Sequence, residues 1–209
     1  MWTNYYSETQ NYAADAAETK ANLIKQYLKA SEPKSVWDMG ANTGRYSRIA
    51  AEYSDYVLSM DVDPDCVEIN YQEAVKSGDQ KLLPLVFDIT NPSPGIGWNN
   101  HERTPLEQRS QPDLVMALAL MHHLAIAGNL PLEYIAKYFY SCTGIWLIIE
   151  YVPKSDDQVK KLLKTRKDIF INYTEVSFIS AFSAYFKIIQ SHPVGDSGRT
   201  LYLLKKTNL

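Results

Sequence analysis

Four acidic side chains stand at or just after the ends of short apolar segments. They are Asp38, Asp61, Asp88 and Glu150. Carboxylates accept hydrogen bonds from hydroxyl and amino groups and attract cationic groups. Ligands of an open parallel sheet bind outside the carboxyl ends of its strands. If the apolar segments are such strands, the four acids and Leu118 are expected to face one crevice.

A glycine-containing loop, Trp37-Asp38-Met39-Gly40-Ala41-Asn42-Thr43-Gly44, follows the first apolar segment and precedes a helical pattern. Gly40 and Gly44 allow a tight turn and a close backbone approach, and a helix starting near Arg45 directs free N–H groups toward the crevice. A nicotinamide-binding fingerprint requires glycine where Asn42 and Arg45 stand, and a Walker loop requires a following Gly-Lys-Ser/Thr. The loop therefore fits neither of these phosphate-binding motifs.

Apolar runs and helical repeats alternate along the chain. The predicted strands cover 35–39, 56–60, 81–87, 113–118, 145–149, 187–191 and 199–205. The predicted helices cover 13–30, 45–53, a segment that begins at 64, 131–141, 155–167 and 174–186. Nearly continuous apolar strands are typical of a parallel sheet that is buried on both faces. The pattern thus predicts an α/β fold.

Two local signals predict helix starts. Asp63 precedes Pro64, which predicts a side-chain cap followed by proline in the first turn.

The connection Thr90–Gln111 is long and predicts a functional loop or lid. Within it, Thr104-Pro105-Leu106-Glu107 has the residues of a capping box and predicts a short helix.

Length and composition predict one domain. The chain has 209 residues, with no apolar run near the ~20 residues that span a bilayer. We expect a single domain over 1–209, with an aromatic segment and helix at 1–34 and the core at 35–209. The start has no secretory signal, so a cytoplasmic location without membrane attachment is expected.

Charge and cysteine content narrow the partners. A net charge of −3 and a pI near 5.8 disfavour tight nucleic-acid binding and favour small molecules or proteins. Cys66 and Cys142 are far apart in the sequence and suggest neither a zinc site nor a disulfide framework. No metal site is predicted, and both cysteines are expected to be packing residues.

The strand ends resemble those of the class I S-adenosylmethionine (SAM)-dependent methyltransferases. The first motif of that family is acid, any, Gly, any, Gly, any, Gly. Asp38, Gly40 and Gly44 match it, while Asn42 replaces the middle glycine and tolerates positive φ. The resemblance implies a three-layer Rossmann-like sandwich with helices on both faces and SAM as cofactor. Its seven-stranded, mostly parallel sheet has the order 3-2-1-4-5-7-6, with the last strand antiparallel.

The resemblance also implies the roles of individual residues. Asp61 matches the acid that binds the ribose hydroxyls, and Asp88 matches the acid near the adenine amino group. The implied cofactor-binding residues are Asp38, Gly40, Asn42, Gly44, Asp61, Val62, Asp88, Ile89, Ala117 and Leu118. Residue chemistry leaves alternatives open, because Asp61 could be a strand-end cap and Asp88 could only organise a turn. Because Asp63 already fills the capping role, Asp61 is expected to be free for ribose.

His122 and His123 follow the fourth strand, within the segment Ala117–His123 that matches the fourth-motif region. An imidazole there could remove a proton from the methyl acceptor, or could serve only in packing. The predicted function is methyl transfer to an O or N nucleophile of an unidentified acceptor, with a small molecule favoured. A silent SAM-binding module and a protein or RNA methyltransferase remain as alternatives.

A narrower resemblance rests on Asn91-Pro92-Ser93-Pro94, the double histidine and Glu150-Tyr151-Val152-Pro153-Lys154-Ser155-Asp156. These segments are similar to a bacterial group of methyltransferase-like proteins with a nodulation-associated branch. Members of this group often carry additional sequence ahead of the domain, and short forms remain the alternative. A further N-terminal domain or partner chain is therefore an expectation.

Overall fold

The computed structural model describes residues 14–164 and 166–208, and it contains a seven-stranded sheet. The strands are β1 (Ser35–Met39), β2 (Tyr56–Asp61), β3 (Leu82–Val86), β4 (Leu114–Ala117), β5 (Trp146–Tyr151), β6 (Phe186–Pro193) and β7 (Thr200–Lys206). Their order is β3-β2-β1-β4-β5-β7-β6, and β7 runs antiparallel to both of its neighbours. The neighbouring pairs among β1 to β5 are parallel. The predicted fold class and strand order are confirmed.

Helices connect the strands. They are α1 (Ala14–Ser31), α2 (Arg45–Ala51), α3 (Pro64–Ser77), α4 (Leu106–Arg109), α5 (Leu132–Cys142), α6 (Asp157–Leu163) and α7 (Glu175–Ser183). A 3₁₀ turn covers Trp98–Asn100, and a π-helical turn covers His123–Ala127. As predicted, Asp63 caps α3 by accepting the N–H of Asp65, with Pro64 in the first turn.

Alternation along the strands divides the core between two faces of the sheet. Trp37 and Val115 belong to one buried cluster, which includes residues of α5 and α7. Val36 and Leu114 belong to the other, which includes residues of α1 and α2. Because successive strand side chains point to opposite faces, helices cover both sides and the carboxyl ends of the strands stay open for a site.

Several predicted helix bounds are wrong, and the helix predicted over 174–186 ends at Ser183. The helix predicted over 155–167 is only Asp157–Leu163, and beyond it the carboxylate of Asp168 accepts the N–H of Phe170 in a local turn. The helix near Thr104 begins at Leu106 without a side-chain cap, because Pro105 adopts an extended ψ of 150° and lies ahead of the helix. Within the described residues, no helix is long and apolar enough to cross a membrane.

Candidate functional site

The loop after β1 is tied to the end of β2. The carbonyl of Met60 accepts the N–H groups of Gly40 and Ala41 at 2.8 and 2.9 Å. Asn42 has a φ of 51°, in the left-handed region, and its N–H donates to Oδ2 of Asp61 at 2.7 Å. Asn42 therefore adopts the positive φ that the sequence predicted for the position of the missing glycine.

Gly44 completes the loop because no larger residue fits there. It has a φ of 76°, and a Cβ at this position would lie 1.9 Å from Oδ1 of Asn70. Arg48 donates to that same Oδ1 at 2.9 Å and to the carbonyl of Thr43 at 3.0 Å. The loop is thus fixed both by backbone conformation and by side chains of α2 and α3.

A cavity of about 400 Å³ opens where the loops follow β1, β2, β3 and β4. Eight of the ten residues assigned to cofactor binding line it: Asp38, Gly40, Asn42, Asp61, Val62, Asp88, Ile89 and Leu118. Gly44 and Ala117 do not line it, since Gly44 lies against Asn70 and Ala117 is buried in β4. The wall also contains Lys20 and Tyr46, which were not anticipated from the sequence.

Asp61 has a structural task in addition to its place on the wall. Its Oδ1 accepts the N–H of Asp63 at 2.9 Å, and its Oδ2 accepts that of Asn42 at 2.7 Å. The expectation that capping by Asp63 frees Asp61 is therefore wrong. Burial raises the pKa of Asp61, while these N–H groups oppose that rise. Each carboxylate oxygen has a second lone pair, so ligand hydroxyls can still donate to it.

Asp88 organises a turn while it lines the cavity. Its Oδ1 accepts the N–H and the hydroxyl of Thr90 at 2.8 and 2.7 Å. Hydrogen bonding to the Thr90 side chain lowers the pKa of Asp88, so the carboxylate is charged at neutral pH. The structure therefore contains the turn that the alternative interpretation of Asp88 predicted, and Asp88 also lines the cavity.

Asp38 lies at the back of the cavity in a buried polar chain. The hydroxyl of Ser47 donates to its Oδ2 at 2.6 Å, and Ser47 in turn contacts the hydroxyl of Ser59 at 2.8 Å. Asn70 donates to Ser59 at 2.8 Å and joins this chain to the Gly44 loop. Burial raises the pKa of Asp38 to about 7, against the lowering effects of Ser47 and of Lys20.

Glu150 is held behind the cavity instead of lining it. Its Oε2 lies 2.5 Å from the ammonium of Lys20, and its Oε1 lies 3.7 Å from the guanidinium of Arg199. Arg199 also pairs with Asp156 at 2.7 Å. Of the four acids expected at one crevice, Asp38, Asp61 and Asp88 line the cavity, and Glu150 does not but contacts Lys20, which does.

The two histidines occupy different places. His123 lines the cavity beside Leu118 and Leu124, and burial lowers the pKa of its imidazole to about 4. His122 is fully buried off the wall, and its ring nitrogens have no hydrogen-bond partner among the residues that the structure describes. The centroids of the His122 and His123 rings are 4.2 Å apart. Of the pair, only His123 is placed to touch a ligand in the cavity.

The described residues contain no cluster of three or more potential metal ligands. Cys66 and Cys142 are both buried and form no disulfide, as packing residues would. The aromatic side chains of the first 13 residues lie outside the described part of the chain.

The buried carboxyl of Asp38 makes stability depend on pH. Its pKa is about 7 in the folded protein against 3.8 for the free group, so between these values the folded state holds the proton more tightly. Its contribution to the free energy of unfolding is therefore greatest below about pH 4 and is lost as the pH rises through about 7. Relative to the neutral variant Asp38→Asn, the wild type should become progressively less stable from about pH 4 to pH 8 in urea unfolding.

The matched control is Asp196→Asn, since Asp196 is exposed. Its unfolding free energy should follow the wild-type pH curve. Parallel pH curves for wild type and Asp38→Asn would contradict the burial of an ionisable Asp38.

The sequence was compared with protein families and with curated proteins, and the fold was compared with solved structures. No protein-family model matches the sequence. The chain is 34% identical over 208 residues to the nodulation protein NoeA of Rhizobium meliloti (strain 1021). The alignment covers 99% of this chain and 43% of that protein, so the chain spans less than half of the curated relative. This agrees with the predicted resemblance to a nodulation-associated branch.

Two solved structures share the architecture at low sequence identity. One is the N-methyltransferase NodS from Bradyrhizobium japonicum WM9 in complex with S-adenosylhomocysteine (SAH), with a TM-score of 0.66, 10% identity and coverage of 99% of this chain and 100% of that one. The other is the magnesium protoporphyrin IX methyltransferase from Synechocystis PCC 6803 with bound SAH, with a TM-score of 0.66, 15% identity and coverage of 99% and 92%. The chain therefore has the fold of the class I SAM-dependent methyltransferases, as its strand-end motifs predicted.

Proposed function

We propose that the chain binds SAM in the cavity and transfers its methyl group to an O or N nucleophile, with a small molecule favoured as the acceptor. One observation carries the proposal: the left-handed loop after β1 and the carboxylate at the end of β2 meet at one cavity. They are joined directly, because Asn42 donates to Asp61. Dinucleotide-binding and phosphate-binding loops require residues that this loop lacks.

The strand order gives the cofactor a direction along the rim. Asp61 at the end of β2 accepts the ribose hydroxyls in this proposal, and Asp88 and Ile89, beyond β3, lie beside the adenine. The methionine end then extends toward Asp38 and Gly40 at β1. Leu118, after β4, lies on the side of the cavity where the acceptor approaches. The two complexes with bound SAH support this use of the fold.

Methyl transfer requires little covalent help from the protein, because the sulfonium of SAM is an activated donor. The lone pair of the nucleophile attacks the methyl carbon in line with the bond to sulfur. That bond breaks, its electrons stay on sulfur, and the nucleophile releases a proton. The main task of the protein is to hold the reacting atoms in this line and to exclude water.

In this proposal, His123 is a polar group near Leu118, on the side of the cavity where the acceptor approaches. Because its pKa is about 4, the imidazole is neutral at pH 7 and is a weak base. It suits a hydrogen bond that orients the O–H or N–H of the acceptor more than it suits complete proton removal. An amine acceptor would then need to arrive in its neutral form or lose its proton to water.

Two other functions share the cofactor site. A silent SAM-binding module is consistent with the chain spanning 43% of its curated relative, where other segments could carry the activity. A macromolecular methyltransferase is consistent with the fold of the 16S rRNA methylase RmtB, with a TM-score of 0.64 at 14% identity. A small-molecule acceptor is favoured because the net charge of −3 does not attract nucleic acid.

Isothermal titration with SAH tests the cofactor site, and Asp61→Ala tests its geometry. The variant loses the proposed ribose hydrogen bonds and also the acceptor for the N–H groups of Asn42 and Asp63, and it should bind SAH more weakly by at least about 1.5–3 kcal/mol. Asp65→Ala is the control, since Asp65 stands on the first turn of the neighbouring helix outside the cavity. Failure of the folded wild type to bind SAM or SAH would end the proposal.

Truncation of the imidazole separates binding from chemistry. His123→Ala should leave SAH affinity within about twofold, and it should lower the rate of methyl transfer by about 10- to 100-fold through loss of acceptor orientation. The measurement is transfer of labelled methyl from SAM to extract fractions, with His192→Ala as a control outside the cavity. An unchanged rate would remove His123 from the mechanism.

The same labelling experiment distinguishes the three functions. Label in small molecules supports the favoured acceptor class, and label retained on protein or RNA supports a macromolecular methyltransferase. Binding of SAM with no transfer to any fraction supports the silent module.

A further inference from the structure

Arg166 lies beyond α6 and is attached to the wall of the cavity. Its Nη1 donates to the backbone carbonyl of Ile126 at 2.5 Å, within the π-helical turn. The next residues, Ala127 and Gly128, line the cavity, as does His123 at the start of the same turn. The guanidinium is therefore held beside the part of the wall that follows β4.

The bond to Ile126 leaves most of the guanidinium available. An arginine side chain has several N–H donors, and within the described part of the chain only the bond from Nη1 uses one of them. The side chain of Arg166 is exposed to solvent. Because the planar fork can donate two parallel bonds to a carboxylate or a phosphate, an arginine that is fixed in this way is suited to hold an anion.

The charges around Arg166 leave a positive surplus. The exposed acids at 157 and 168 pair with Lys160 and Lys154, at 2.9 Å each. Hydrogen bonds from these lysines lower the pKa of both carboxyls, so both acids are already neutralised by a cation at neutral pH. Three more exposed cations form no ion pair with any described residue: Lys161, Lys164 and Lys167. A local surplus of this kind attracts anions to the surface.

The cofactor is not the anion that this position fits. In the proposed direction of SAM, the adenosine lies toward β2 and β3, and the methionine end lies toward β1. The π-helical turn follows β4, on the side of the cavity where the acceptor approaches. An anionic group at Arg166 therefore belongs to the acceptor.

We infer that the methyl acceptor is a small molecule with a carboxylate or a phosphate, and that Arg166 binds this group at the mouth of the cavity. The inference rests on the proposed function, because it needs an acceptor in the same cavity. The anionic group is separate from the nucleophile, which lies near His123. Arg166 thus contributes to the binding and orientation of the acceptor, and the transfer step itself requires no charge from it.

Fractionation of an extract tests the charge of the acceptor. A small-molecule extract is passed over a strong anion exchanger at about pH 11, above the pKa of amines, so that acidic groups hold a compound on the resin. Each fraction is then assayed with labelled SAM and the full chain. The acceptor should be absent from the flow-through. A wash at about pH 2 protonates carboxylates and releases a carboxylate acceptor, whereas a phosphate acceptor stays bound until salt is added.

Arg166→Gln tests the proposed binding group. Glutamine keeps an N–H donor for the carbonyl of Ile126 and removes the charge. The amount of the eluted acceptor fraction that gives half-maximal transfer should rise by about 10- to 150-fold, the range for a hydrogen bond to a charged group. The maximal rate and the affinity for SAH should stay within about twofold, because Arg166 takes no part in chemistry or in cofactor binding.

Arg109→Gln is the matched control. Arg109 is also an exposed arginine that donates to a backbone carbonyl, that of Thr104, and it does not line the cavity. This variant should keep the half-saturation of wild type. Added potassium chloride should raise the half-saturation of wild type and change that of Arg166→Gln less, since salt screens the attraction between charges.

Retention of the acceptor on the resin and the rise in half-saturation are both required. An acceptor in the flow-through, or label on protein or RNA alone, would overturn the inference and leave methyl transfer standing. An unchanged half-saturation in Arg166→Gln, or a lower maximal rate at unchanged half-saturation, would show that Arg166 only holds the π-helical turn. A wild type that binds SAH but labels no fraction would overturn the inference and favour the silent module. A folded wild type that does not bind SAH would overturn both proposals.

Discussion

The packing of Asn70 against Gly44 is the contact on which the cavity depends. The amide oxygen occupies the space that a Cβ at Gly44 would need, and it accepts a hydrogen bond from Arg48. Arg48 also holds the carbonyl of Thr43, so the chain leaves the loop in one direction. With the loop fixed in this way, Asn42 reaches Asp61 and closes the wall between β1 and β2. A non-glycine residue with positive φ costs free energy, and tertiary contacts of this kind offset it.

Buried charge is the second constraint on the site. Lys20, Glu150, Arg199 and Asp156 are all nearly excluded from solvent and alternate in sign. Replacing such a group by apolar residues is often neutral or stabilising, whereas removing one partner leaves an uncompensated charge. The network is therefore weak evidence for stability. Its structural result is that α1, β5 and the start of β7 are connected at the carboxyl edge of the sheet, where the cavity lies.

The placement of most predicted site residues on one cavity wall was predictable, because their signals are local. The acids at strand ends, the glycines of the loop and the Asp63 cap each act within a few residues of their own position. Lys20 and Arg199 carried no such signal, since their partner Glu150 is distant in the chain and the residue types alone are unremarkable. The sequence also did not predict the early end of α6, because a local turn at Asp168 follows it, or the place of Pro105 ahead of α4, because its ψ is extended.

The cavity wall around Ala119 and His123 is built differently from the wall at the loops after β1 and β2. Ala119 has a φ of 50°, which costs about 1–2 kcal/mol for a residue with a Cβ. The π-helical turn that follows is closed by the N–H of Gly128, which donates to the backbone carbonyl of His123, and Arg166 donates to the carbonyl of Ile126. This wall is strained and held by a residue from beyond α6. Its shape is set by contacts distant in sequence, so chains that share the fold at 10–15% identity are free to differ here.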